Sequence, residues 1–117
     1  MSYFCETIRA MLPIVSQLAK EYKESLQTLY GDEFVELIVF GSYAREDQND
    51  ESDMDFAVVL RSPETQVAKE IKKTSAISSR LSLKYGIAVS SLPVTHYKKE
   101  TSMQGIYQEI RKEGISI

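Results

Sequence analysis

One cysteine, one histidine and no apolar run long enough to span a bilayer are the first constraints this chain imposes. Cys5 alone cannot close an internal disulfide or build a cysteine metal cage, which fits a reducing compartment and a small packed hydrophobe. The single His96 follows Pro93-Val94-Thr95 in an expected loop, so it reads as a surface residue and not as a catalytic base. The start Met1-Ser2-Tyr3-Phe4-Cys5-Glu6 lacks the basic-then-apolar layout of a secretion signal, so a cytoplasmic protein with no membrane partner is expected. A formal net charge of -3 leaves no excess of Lys and Arg to displace counterions from a duplex, and no direct nucleic-acid binding is expected. The lysines Lys69, Lys72, Lys73, Lys98 and Lys99 read as solvated surface. No repeat, linker or low-complexity tract divides the sequence, so residues 1–117 are expected to form a single domain with one core.

Hydrophobic spacing places the elements. Ile14, Leu18, Tyr22, Leu26 and Leu29 recur at helical intervals, with Pro13 suited to a first turn and Gly31 to the stop, and a short helical turn is expected before Pro13. Val35 to Phe40 is a β-branched and aromatic run that enters Gly41-Ser42, so it reads as a buried strand ending in a tight turn. Ser42 to Arg45 can wind into a helical turn, and Glu46 to Ser52 is too polar for anything but loop. Asp53 to Leu60 reads as a second strand. Ser62-Pro63-Glu64 signals a helix start, and Val67, Ile71, Thr74, Ile77, Leu81 and Tyr85 trace its inner face until Gly86. Ile87 to Leu92 reads as a third strand, Pro93 to Met103 as a connection, and Gln104 to Lys112 as a short helix with Ile106, Tyr107 and Ile110 facing inward. Ile115-Ser116-Ile117 is suited to an edge strand. The sum is an α/β (α+β) fold, a small sheet flanked by helices.

Chemistry concentrates between Gly41 and Asp55. Strand side chains alternate faces, so Asp53 and Asp55 project from the same face with Cα atoms roughly 6.5 to 7 Å apart and can converge on a cation. Two metal ions about 3.5 to 4 Å apart, bridged by such carboxylates, hold the attacking and leaving oxygens of an in-line phosphoryl or nucleotidyl displacement, and an all-oxygen donor set suits Mg²⁺. Beside them, Gly41 lets backbone approach a phosphate, Ser42 adds a hydroxyl at a helix start, and Arg45 lies about one turn on with positive charge. A calcium loop is the main rival, because Asp47, Asn49, Glu51, Asp53 and Asp55 carry oxygen at every other position. It fails in detail: an EF-hand frame begun at Asp47 has Ser52 where Gly is needed and Val58 where a bidentate Glu is needed. Tyr43 can stack on a base or support the turn; Ser52 can orient Asp53 or only begin the strand. Tyr97 and Tyr107 are candidate acceptors for self-modification, with packing the better reading of Tyr107.

Phe40-Gly41-Ser42-Tyr43-Ala44-Arg45 together with Ser52-Asp53-Met54-Asp55-Phe56 resembles the signature of polymerase-β-type nucleotidyltransferases in their minimal form. With Gly86 to Val94 and the ending Tyr107 to Ile115, the chain is similar to the MntA-like antitoxins encoded beside HEPN-domain toxins. The resemblance implies the polymerase-β-type fold and transfer of AMP from ATP, with Mg²⁺, to a tyrosine hydroxyl of a HEPN ribonuclease toxin, which is thereby neutralised. It implies that Asp53 and Asp55 are catalytic and bind metal, and that Gly41, Ser42 and Arg45 hold the nucleotide. The chain departs from the pattern twice. Glu46 stands where a glycine is usual after Ala-Arg, and Ile87-Ala88-Val89-Ser90-Ser91-Leu92 carries no third catalytic acid, with Ser90 at the matching place. A tyrosine acceptor reduces the need for that acid, because its reference pKa of about 10 is low for a hydroxyl. An antitoxin that neutralises by binding alone, and transfer to a small molecule or an RNA end, stand as the other readings. The absence of a further helical segment after Ile117 favours a macromolecular acceptor.

Overall fold

In the computed structural model, residues 13–49 and 51–117 are described; the turn expected before Pro13 and Cys5 lie outside them. Helix α1 (Pro13–Tyr30) buries Val15, Leu18, Ala19, Tyr22 and Leu26. The expected stripe was correct at its centre and drifts at its ends, where Ile14 and Leu29 are exposed, because steps of four residues advance faster than a 3.6-residue turn. After a 3₁₀ turn at Gly31–Glu33, β1 (Phe34–Phe40) leads into the single-turn helix α2 (Ser42–Arg45), and β2 (Met54–Leu60) follows the polar loop.

Helix α3 (Val67–Tyr85) begins later than Ser62-Pro63-Glu64 suggests, because those residues close a turn of their own. The Thr65 hydroxyl donates to the Ser62 carbonyl at 2.8 Å, and the Glu64 amide donates to Ser62 Oγ at 3.3 Å. Gly86, at φ +69°, ends α3 in the left-handed conformation a helix C-terminus favours. Strand β3 (Val89–Thr95) starts later than expected and continues through Pro93. Its place at the sheet edge explains this, since an edge proline removes no interior hydrogen bond. Most of the expected connection is therefore ordered: Thr95 caps helix α4 (His96–Thr101) by accepting from the Lys98 amide at 3.0 Å. Helix α5 (Gly105–Glu113) buries Tyr107 and Ile110 but leaves Ile106 40% exposed, and β4 (Ile115–Ser116) closes the order of elements.

The sheet runs β3-β2-β1-β4, with β2 and β3 parallel and the other pairs antiparallel. Alternation gives it two faces. Leu37, Val39, Met54, Phe56, Val58 and Leu60 pack with α1 and with Leu81 of α3, and Tyr22 meets Phe56 edge-on at 5.1 Å. Ile38, Phe40, Ala57, Val59 and Val94 pack beneath Tyr107 and Ile110 of α5. Among the described residues, no helix is long and apolar enough to cross a membrane.

Candidate active site

The antiparallel register sets Phe40 opposite Asp55, so the exit of β1 and the entry of β2 lie side by side. Gly41 follows at φ +76°, ψ -152°, a backbone region essentially confined to glycine. A Cβ on Gly41 would overlap Asp55 Oδ2, so the missing side chain is what lets that carboxylate rest against the turn. The amides of Ala44 and Arg45 both donate to the Gly41 carbonyl at 3.1 Å, which winds α2 directly out of the turn with half-buried Ser42 at its start. Glu46 closes α2 at φ +63°, the left-handed conformation that a glycine would hold without strain, so the turn is held at a conformational cost. Tyr43 is 5% exposed and packs in the core cluster on the α1 side of the sheet, which is the turn-supporting one of its two expected roles.

Asp53 lies just ahead of β2, where the Met54 amide donates to the Ala88 carbonyl at 2.8 Å and joins the strand to the approach of β3. Asp53 and Asp55 share the strand parity of Ala57 and Val59, which places both carboxylates on the α5 face. Asp53 is exposed and Asp55 half-buried. Burial pushes the Asp55 carboxyl above its ordinary range, the negative charges of Asp53 and Glu109 push it further, and Arg45 pulls it back. Such crowding of negative charge, with no hydrogen-bond donor at either aspartate among the described residues, is relieved by a cation. Among the described residues no three acidic, His or Cys side chains are close enough to hold an ion by themselves. The pair therefore fits Mg²⁺ as a partial donor set, completed by phosphate and water oxygens, which is how that ion is commonly held.

Arg45 is bound on two sides, to Asp47 at 3.2 Å and to Glu113 of α5 at 3.1 Å, and these carboxylates, Glu113 first, raise its pKa. Ser90 is the register partner of Asp55 across β2 and β3, exposed and on the same face as Leu92 and Val94. The place beside Asp55 on β3 is thus occupied by a hydroxyl and not by an acid. Sequence reasoning missed Glu109 and Glu113, which α5 brings to this end of the sheet. Their only signal is an i,i+4 acidic pair flanking buried Tyr107 and Ile110, and nothing in that spacing says which strand end it will meet. His96 is exposed at the other end of β3, away from both aspartates. A groove of about 540 Å³ runs between α3 and β3 beside Ile71, Ser78, Ser82 and Ser91, apart from the carboxylates.

Residues 19–116 match the family model described as a nucleotidyltransferase domain. Over 103 residues the chain is 34% identical to a Methanocaldococcus jannaschii protein named "Putative protein adenylyltransferase", an alignment spanning 88% of this chain and 98% of that one. Its fold is similar to a crystal structure of a toxin-antitoxin with AMP-PNP, at TM-score 0.58 and 15% identity, covering 83% of this chain and 70% of the other. It is also similar to a crystal structure of "a putative nucleotidyltransferase" from Sulfolobus solfataricus, at TM-score 0.55 and 20% identity, covering 99% of this chain and 86% of that one.

Proposed function

The chain belongs to the nucleotidyltransferase domain family, and from that premise we propose that it is an antitoxin that transfers AMP from ATP to a tyrosine hydroxyl of a HEPN-type ribonuclease toxin and so neutralises it. The observation that carries this reading is the seating of Asp55 against the side-chain-free face of Gly41, with Asp53 on the same side of β2. It joins a phosphate-accessible turn to a paired carboxylate site. The resemblance of the signature residues supplies the class of partner. The 34% identical relative supports AMP transfer to protein, and the toxin-antitoxin neighbour shares the fold.

In this reading the turn at Gly41 and the Ser42 hydroxyl orient the β and γ phosphates. Arg45, fixed at the mouth by Asp47 and Glu113, adds positive charge near the same oxygens. Asp53 and Asp55 are the residues that hold Mg²⁺, two ions in the full arrangement, and the bound cation supplies charge compensation for the triphosphate. The acceptor oxygen bonds to the α phosphorus as the bond to the pyrophosphate oxygen breaks, and positioning contributes most of the acceleration.

The test incubates the chain and its toxin with ATP and Mg²⁺ and weighs both proteins by intact mass spectrometry. Addition of one or more AMP units to the toxin is expected, and it should disappear in Asp53→Asn and Asp55→Asn. A tight complex with no gain in mass would instead support neutralisation by binding alone, the reading favoured by Ser90 standing where an acid is usual. Labelled product without a change in protein mass would indicate a small-molecule or RNA acceptor.

A further inference from the structure

Beside Asp55, β3 presents the hydroxyl of Ser90 and no carboxylate to take the acceptor's proton. The overlying helix presents a carboxylate. Tyr107 and Ile110 fix which side of α5 faces the sheet, and they pack on the face that carries Asp53 and Asp55. Glu113, on the same side of α5 as Glu109 one turn earlier, reaches Arg45 at 3.1 Å, which ties that flank of the helix to the mouth of the site. Glu109 is half-buried, and its charge acts on Asp55. Unlike Glu113, it has no hydrogen-bond or ion-pair partner among the described residues. Nor does it close in on the aspartates as a third ion ligand, since no trio of acids there is tight enough. A half-buried carboxylate with no such partner, on the flank of α5 that Glu113 ties to the mouth of the site, is available to an acceptor group that enters there.

Resting on the transferase reading above, we propose that Glu109 is the general base of this site, taking the role that Ser90 cannot fill. The acceptor hydroxyl gives its proton to a Glu109 carboxylate oxygen. The electron pair so freed forms the bond to the α phosphorus, and the bond from that phosphorus to the bridging oxygen breaks, its pair leaving with pyrophosphate. General bases contribute about 10²- to 10⁴-fold, and a phenolic acceptor, already acidic for a hydroxyl, places the expectation near the lower end.

The experiment measures AMP transfer from ATP with Mg²⁺ to a purified HEPN-type toxin by wild type, Glu109→Gln, and Glu109→Gln combined with Ser90→Asp. Binding of a fluorescent ATP analogue and thermal melting are measured on each. Glu109→Gln should lower kcat about 10²-fold while the KM for ATP, analogue binding and melting temperature stay close to wild type. Ser90→Asp, which returns an acid to the strand beside Asp55, should recover at least about tenfold of that loss. Wild-type turnover in Glu109→Gln overturns the assignment and leaves the transferase reading intact. So does a loss carried by KM or by melting, or one that Ser90→Asp does not relieve. No transfer by wild type overturns the transferase reading and this assignment with it.

Discussion

At the scale of single residues, the site is built from conformations and charges that do not favour the fold. Gly41→Ala forces a side chain into a glycine-only backbone region and against Asp55 Oδ2, and should cost about 1 to 3 kcal/mol in chemical denaturation. Adding Asp55→Ala should return only the steric part of that loss, since the backbone strain remains. Glu46 presents the opposite case: Glu46→Gly at φ +63° should stabilise by about 1 kcal/mol by relieving left-handed strain. Asp55 has its pKa raised in the folded chain, so its favourable contribution is complete below the ordinary aspartate value of about 3.9 and is lost as pH rises through the raised value. Asp55→Asn should therefore raise the melting temperature slightly at neutral pH in cation-free buffer, the effect being reduced by solvent screening. The difference should vanish below about pH 3.9. Mg²⁺ with a nucleotide should reverse the order by stabilising only the wild type.

At the scale of elements, two joints control where the functional groups stand. Gly114, between α5 and β4, has no room for a side chain: a Cβ would overlap the Ile110 carbonyl and Ile38 Cγ2. Gly114→Ala should cost about 1 to 3 kcal/mol and weaken transfer from a distance, because displacing α5 moves Glu113 off Arg45. The other joint links α1 to α3, where Glu21 accepts from Lys84 at 2.8 Å and from Tyr85 at 2.9 Å. These bonds hold the Glu21 carboxylate below its ordinary range, the Lys84 bond most. Its contribution is present above the unfolded value of about 4.3 and lost as pH falls through the folded one. Glu21→Gln should lower the melting temperature slightly at neutral pH and match wild type in acid, as thermal scans across pH would show.

At the scale of the whole molecule, fold and chemistry are separable. The core lies in the two clusters on either side of the sheet, whereas Asp53 and Asp55 sit at its open end and pair with no core group. The double variant Asp53→Asn, Asp55→Asn should keep the circular dichroism spectrum and melt cooperatively while losing AMP transfer. Retained transfer would remove the paired carboxylates from the mechanism. The parallel β2 and β3 are joined by α3, and this crossover carries Ser90 back beside Asp55, so the sheet topology decides which later residue can face the aspartates.

The elements and the Gly41, Ser42, Asp53 and Asp55 grouping were legible in the chain because they rest on local rules. Periods of two and of 3.6 residues mark strands and helices, glycines mark turns, and i,i+2 carboxylates on a strand must share a face. Boundaries slipped where a side chain had two local options, as at Ser62, which closes a turn instead of starting a helix, or where sheet position overrode propensity, as at Pro93. What only the tertiary structure decided is the company Asp55 keeps: Ser90 across the parallel register, Arg45 held by Glu113, and the negative charge of Glu109 on α5. Those neighbours are far apart along the chain, and the strand register together with the packing of α5 on one face of the sheet, not any sequence spacing, brings them to the same end of the fold.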